Sequence, residues 1–207
     1  MIESEFFKIE EVDYNYLKSS LSGYKNIRVK INDMLKKKEI IRVKKGLYVP
    51  GKPYARSHFY RETLSNLIYG PSYISLEYAL SFYGMIPEKT ETVTAVTSKR
   101  NKTFNTPVGR FTYRYIKPDL YTDGITLINL DENHNILIAT REKALADILY
   151  FTGRFENIGE LRSFLLENLR IDSDEISRLK KNDIKQLAVK YKGNVILLKK
   201  MLDENHG

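Results

Sequence analysis

No cysteine occurs among the 207 residues, which excludes disulfides, thiolate metal sites and thiol chemistry and fits a reducing, cytoplasmic setting. Histidine is scarce as well: His58, His134 and His206 are scattered, and none has a partner at metal-ligand spacing. No apolar run approaches the roughly 18–20 residues that a membrane span requires. Four glutamates fall within the first eleven residues, so no charged-then-apolar leader is visible. Glycine-rich phosphate loops, nucleophile elbows and other catalytic signatures are missing too. Asp131 and Glu132 are adjacent acids, but they sit in a hairpin loop, where a turn is the simpler role than a metal pair. These absences predict a protein that is not an enzyme, holds no metal or cofactor and has no membrane partner.

What is present is uneven charge. The chain is 42% hydrophobic and 12% aromatic, enough for a buried core, and carries a formal net charge of +8. Between Lys25 and Pro50, nine cations (Lys25, Arg28, Lys30, Lys36, Lys37, Lys38, Arg42, Lys44, Lys45) face only Asp33 and Glu39. That one stretch holds an excess of +7, so the remainder is close to neutral. Clustering of this kind is the electrostatic footprint of a nucleic-acid binder.

The turn-rich Pro50-Gly51-Lys52-Pro53 divides the chain into residues 1–52 and 53–207. Early in the first part Phe6, Phe7, Ile9 and Val12 are apolar, but no start signal defines a helix there. Asp13 is placed to cap a short helix from Tyr14 to about Leu21. Ser22-Gly23-Tyr24 breaks it, and a second helix is expected from about Lys25 to Lys38. Ile27, Ile31, Met34 and Leu35 recur at helical spacing and must face a core. The opposite side gathers Lys25, Val29, Asn32 and Lys36, flanked by Arg28 and Asp33. Ile40–Val43 and Leu47–Val49 read as strands around a Lys44-Lys45-Gly46 turn. Helix, turn, basic helix and basic hairpin in that order form the second half of a winged helix-turn-helix.

The second part reads as α+β. Helices are expected over Ser57–Tyr69, Ser75–Tyr83 (closed by Gly84), Thr140–Phe151, Ile158–Leu169, Asp183–Tyr191 and Val195–Leu202. Strands are expected over Thr92–Thr97, Arg110–Ile116, Thr126–Leu130 and Ile136–Ala139.

A major groove admits one α-helix, and side chains projecting from it read the base edges. Arg28 suits guanine, Asn32 suits adenine, and Val29 is the right kind of group for a thymine methyl; Lys25 and Lys36 complete the face. Against this stands a solvated basic face on a helix that merely packs, and the surrounding order of elements favours DNA. Arg42, Lys44 and Lys45 on a wing would touch phosphate and fix register, although a lysine-rich edge also discourages strand aggregation. Lys99, Arg100 and Lys102 in the next basic loop offer secondary phosphate contacts, with a solvated loop the favoured alternative. Phe111, Tyr113 and Tyr115 alternate along one strand; core packing is the commoner fate of such a row than base stacking.

Four segments, IIRVKKGLYVP (Ile40–Pro50), YISLEYALSFYGMIPE (Tyr73–Glu88), TAVTSKR (Thr94–Arg100) and ATREKALADIL (Ala139–Leu149), resemble the antitoxins of the AbiE abortive-infection (type IV toxin–antitoxin) family. These are also described as predicted transcriptional regulators of viral defence. The resemblance covers most of the chain from about Phe6. It implies an N-terminal winged helix-turn-helix binding inverted repeats in double-stranded DNA upstream of its own operon. It also implies a C-terminal mixed α/β antitoxin domain opposing a nucleotidyltransferase toxin encoded beside it, without a stable complex between the two. The residues themselves support a two-part DNA-binding protein. Two other classes stay open: a module that docks directly on another protein, and an RNA-binding accessory using Tyr113 and Tyr115.

Overall fold

The computed structural model describes residues 11–52 and 59–204, so the early apolar residues Phe6 to Ile9 lie outside the described residues. Strand β1 (Val12–Asp13) leads straight into helix α1 (Tyr14–Ser20). Asp13 caps α1 by accepting from the Tyr16 amide at 2.7 Å, as its position before the helix predicts. Helix α2 spans Ile27–Lys36. Its cap is Asn26, whose side-chain oxygen accepts from the Val29 amide at 3.2 Å. Lys25 therefore precedes the helix instead of lying on its face, which corrects the expected start by two residues.

Helix α2 ends in a Schellman turn. The Glu39 amide donates to the Met34 carbonyl (2.9 Å) and the Lys38 amide to that of Leu35 (3.2 Å). Lys38, at φ +55°, occupies the left-handed position that glycine usually takes. Strands β2 (Ile40–Lys44) and β3 (Leu47–Pro50) form an antiparallel hairpin, with Gly46 at φ +85° in the turn. Strand β1 pairs with β3, giving a three-stranded sheet of order β1-β3-β2. Gly51 closes the hairpin against the end of α2: its amide donates to the Glu39 carbonyl at 2.8 Å. A Cβ there would lie 1.8 Å from the Lys38 carbonyl oxygen, so no other residue fits without moving backbone.

The remainder is α+β. It runs α3 (Arg61–Ile68), β4 (Ser72–Ile74), α4 (Leu76–Phe82), β5 (Val93–Thr97), β6 (Lys102–Thr106), β7 (Gly109–Tyr115) and α5 (Pro118–Tyr121). Then follow β8 (Ile125–Asn129), β9 (Asn135–Ala139), α6 (Arg141–Phe151), α7 (Ile158–Ser163) with a π-helical turn over Phe164–Asn168, α8 (Ser173–Ser177), α9 (Lys181–Tyr191) and α10 (Gly193–Glu204). The six strands form a mixed sheet of order β6-β7-β5-β4-β9-β8, in which β5/β7 and β4/β9 are parallel. The four expected strands are β5, β7, β8 and β9. The sequence reading missed β4, which is three residues long and wholly buried, and β6, whose polar KTFNT lacks any apolar alternation.

Two apolar clusters fill the molecule, and their border does not follow Pro53. The smaller joins Val12, Leu17, Leu21, Ile31, Met34, Ile40 and Tyr48. The larger extends through the mixed sheet and its helices, and it also takes in Val43, Leu47 and Val49 from the hairpin. Period two explains the split: Tyr48 points to one cluster while its neighbours Leu47 and Val49 point to the other. The hairpin is thus packed on both faces.

Candidate nucleic-acid interface

Burying Ile31 and Met34 against the small cluster fixes which side of α2 faces outward. Arg28, Asn32 and Lys36 are exposed on that outer side, and so is Val29, at 62%. A cleft of about 780 Å³ separates this face from the hairpin. Arg28 and Asn32 line it from α2, Arg42, Lys45 and Tyr48 from the hairpin, and Tyr14 from α1. The Arg42 guanidinium stands 5.8 Å from the centre of the Tyr48 ring. Asp33, the acid nearest along this helix, is committed to Lys37 at 2.9 Å, and that ion pair holds its carboxyl below the usual range. Among the described residues no carboxylate pairs with Arg28, Lys36, Arg42 or Lys45. The cleft therefore presents, among the described residues, positive charge without a paired acid, beside an amide and an exposed methyl-bearing side chain.

Of the expected residues, Arg28, Asn32, Arg42 and Lys45 converge on the cleft, and Val29 and Lys36 flank it on the same helix. Lys25 stands outside the helix, as above. Lys44 is a second correction. Its ammonium donates to the carbonyls of Leu67 (3.0 Å) and Ile68 (2.6 Å), the last turn of α3. Those carbonyls have no partner inside their own helix and carry its negative dipole end, so they attract a cation. Partial burial and the charges of Lys102 and Lys99 lower the basicity of Lys44. This lysine fastens the hairpin to α3, and its ammonium turns away from the cleft. Tyr14 and Tyr48 were missed, because nothing in their sequence context distinguishes cleft tyrosines from core ones.

Lys99, Arg100 and Lys102 lie at the β5–β6 connection, with Lys102 opening β6 instead of closing a loop. Lys99 donates to the Gly70 carbonyl at 2.5 Å, and both lysines stand 5.5 Å from the centre of the Tyr69 ring. Tyr113 is buried, and its hydroxyl donates to the Ser65 carbonyl at 2.7 Å, so it cannot stack on a base. Tyr115, at the strand end, is 43% exposed.

The two other conspicuous motifs turn out to serve packing. Thr94 accepts from the Tyr78 amide (3.3 Å) and donates to the Ser75 carbonyl (2.7 Å), capping α4 from the neighbouring strand. On α6, Lys143 and Asp147 are wholly buried with Nζ and Oδ1 3.4 Å apart. Asp147 accepts from the hydroxyls of Tyr73 (2.9 Å), Ser75 (2.7 Å) and Tyr191, while Lys143 donates to the Leu120 carbonyl and the Tyr191 hydroxyl. Burial pushes Asp147 up and Lys143 down. Three hydroxyl donors and the adjacent ammonium oppose that push, and they favour the charged pair. His134 is likewise structural in its surroundings: Nδ1 faces Asp131 at 2.7 Å, Nε2 faces Glu11 at 3.2 Å, and its ring centre is 5.0 Å from that of Tyr60. Asp131 also accepts the Asn133 and His134 amides, the hairpin-loop role its position predicts.

Among the described residues no helix is long and apolar enough to cross a membrane. No protein-family model matches the chain, and none of the curated proteins is detectably similar to it.

Proposed function

We propose that this chain binds double-stranded DNA through a winged helix-turn-helix, with α2 reading the major groove and the β2–β3 hairpin acting as the wing. The observation that carries this reading is the convergence of Arg28 and Asn32 from α2 with Arg42 and Lys45 from the hairpin on one cleft that, among the described residues, holds no neutralising carboxylate. The order strand, helix, helix, hairpin, with the first strand returning beside the last, is the arrangement such a domain uses. Arg28 is suited to guanine and Asn32 to adenine, whereas Arg42 and Lys45 act on phosphate. The RNA alternative loses its main support, since Tyr113 is buried and hydrogen-bonded.

From the resemblance of four segments to the AbiE antitoxins we propose further that the DNA is an inverted repeat upstream of its own operon. In this reading the α+β body opposes a nucleotidyltransferase toxin, and neither task asks for a catalytic group, metal or cofactor in this chain. A gel shift with the native upstream duplex, random duplex and single-stranded RNA tests the proposal. Preference for the upstream duplex is expected; equal retention of all three would sink it.

A further inference from the structure

The hairpin has a second basic region on its far side. Lys44 and Lys45 are adjacent, yet Lys45 lines the α2 cleft while Lys44 turns away toward α3. There the lysines of the β5–β6 connection gather on the same helix end: Lys44 on the Leu67 and Ile68 carbonyls, Lys99 on the Gly70 carbonyl, and Lys99 and Lys102 over the Tyr69 ring. The charges of Lys99 and Lys102 are felt at Lys44. Next to them opens a second recess, of about 640 Å³, which Arg100, Asn101 and the exposed Tyr115 line together with Tyr69 and Lys99.

Capping of α3 accounts for Lys44 and Lys99. It does not account for Arg100, which is exposed and takes part in no hydrogen bond or ion pair, nor for Lys102, an exposed residue with no ion pair whose ammonium stands over the Tyr69 and Phe104 rings. Like charges brought this close repel, and an external anion relieves the repulsion. We infer that the recess beside Arg100 and Lys102 holds the phosphate backbone of duplex DNA flanking the segment on α2, so the bound duplex runs across the hairpin onto the α+β body. This rests on the proposed DNA binding by α2 and lengthens its footprint. Phosphate contacts of this type add affinity and salt dependence but no sequence preference.

The test is the salt dependence of full-length protein binding to random-sequence duplexes of roughly one helical turn and about three turns (~10 bp per turn). The variant Arg100→Ala/Lys102→Ala should lower the slope of log K against log salt by about two units on the long duplex and leave the short one unchanged. Arg100→Lys/Lys102→Arg should keep the wild-type slope. Arg100→Ala alone, which removes no hydrogen bond or ion pair within the protein, should lower it by about one unit if the double variant folds poorly. An unchanged slope on both lengths, while Arg42→Ala/Lys45→Ala still lowers it, overturns this inference and leaves α2 binding intact. If neither pair matters on either duplex, the proposed function itself falls. Equal losses on both lengths overturn the flanking position. Stronger competition by single-stranded RNA, abolished by Tyr115→Ala, overturns the duplex in favour of a strand-stacking site.

Discussion

Lys44 and Lys45 are neighbours in one hairpin and face opposite ways: the Lys44 ammonium lies 2.6 Å from the Ile68 carbonyl, while Lys45 lines the cleft shared with Arg28 and Asn32. Two adjacent lysines thus have different jobs. Lys44→Met should cost about 1 kcal/mol in urea unfolding, because partly buried carbonyls lose a charged donor. It should leave the salt slope of DNA binding unchanged. Lys45→Ala should do the reverse, and a matched effect of both variants on both measurements would undo the distinction.

Sequence preference should follow the outer face of α2. Arg28→Ala, Val29→Ala and Asn32→Ala should each reduce discrimination between the preferred duplex and random DNA, by roughly 1–3 kcal/mol where a good base contact is lost. All three positions are exposed, so thermal stability should stay within about 0.5 kcal/mol of wild type. Competition binding reads the discrimination, and full retention in all three variants would place the reading element elsewhere.

The buried pair on α6 predicts strong coupling. Lys143→Met leaves an unpaired carboxylate at a wholly buried position and should cost about 3–5 kcal/mol. Adding Asp147→Asn should recover part of that loss, because the amide oxygen still accepts from Tyr73 and Ser75 while the Tyr191 hydroxyl can turn to accept from the amide NH2. Simple additivity in urea unfolding would contradict the network. A pH effect follows. Burial already raises Asp147, and removing the ammonium raises it further. A carboxyl that protonates more readily folded than unfolded favours the folded state as pH falls. The Lys143→Met deficit should therefore shrink on acidification from neutrality toward about pH 5.

Dividing the chain at Pro53 separates Val43, Leu47 and Val49 from the larger core they pack into. A fragment beginning there should unfold more readily than one beginning at Ile40, which keeps the hairpin, as circular dichroism melts would register. For the antitoxin proposal, full-length protein should rescue growth when the neighbouring toxin is expressed from an unrelated promoter, and residues 1–52 alone should not. Rescue by the first part alone, or by nothing, would leave a plain transcriptional regulator.

The sequence made the long or capped elements legible. Asp13, Thr140 and the apolar spacing of Ile31 and Met34 mark helices by rules that local chemistry enforces. It hid what depends on tertiary neighbours. Strand β6 has no apolar alternation because neither of its faces is buried, and β4 is too short and too evenly buried to show a period. On the site, Arg28, Asn32, Arg42 and Lys45 could be found because charge and helical phase are local properties. The destination of Lys44 could not, since the α3 end that takes it lies 23 and 24 residues further along. Nor could the i, i+4 spacing of Lys143 and Asp147 reveal that both groups are buried, since it equally fits an exposed helix pair beside Arg141 and Glu142.

DNA binding through the α2–hairpin cleft is decided by one titration. The affinity of Arg28→Ala/Arg42→Ala/Lys45→Ala for duplex DNA is measured from low to moderate salt beside the wild type. If these three cations meet phosphate or base edges, the variant should bind weakly at low salt, with a slope lower by about two to three units. Wild-type affinity and slope in that variant would contradict the cleft as the DNA site.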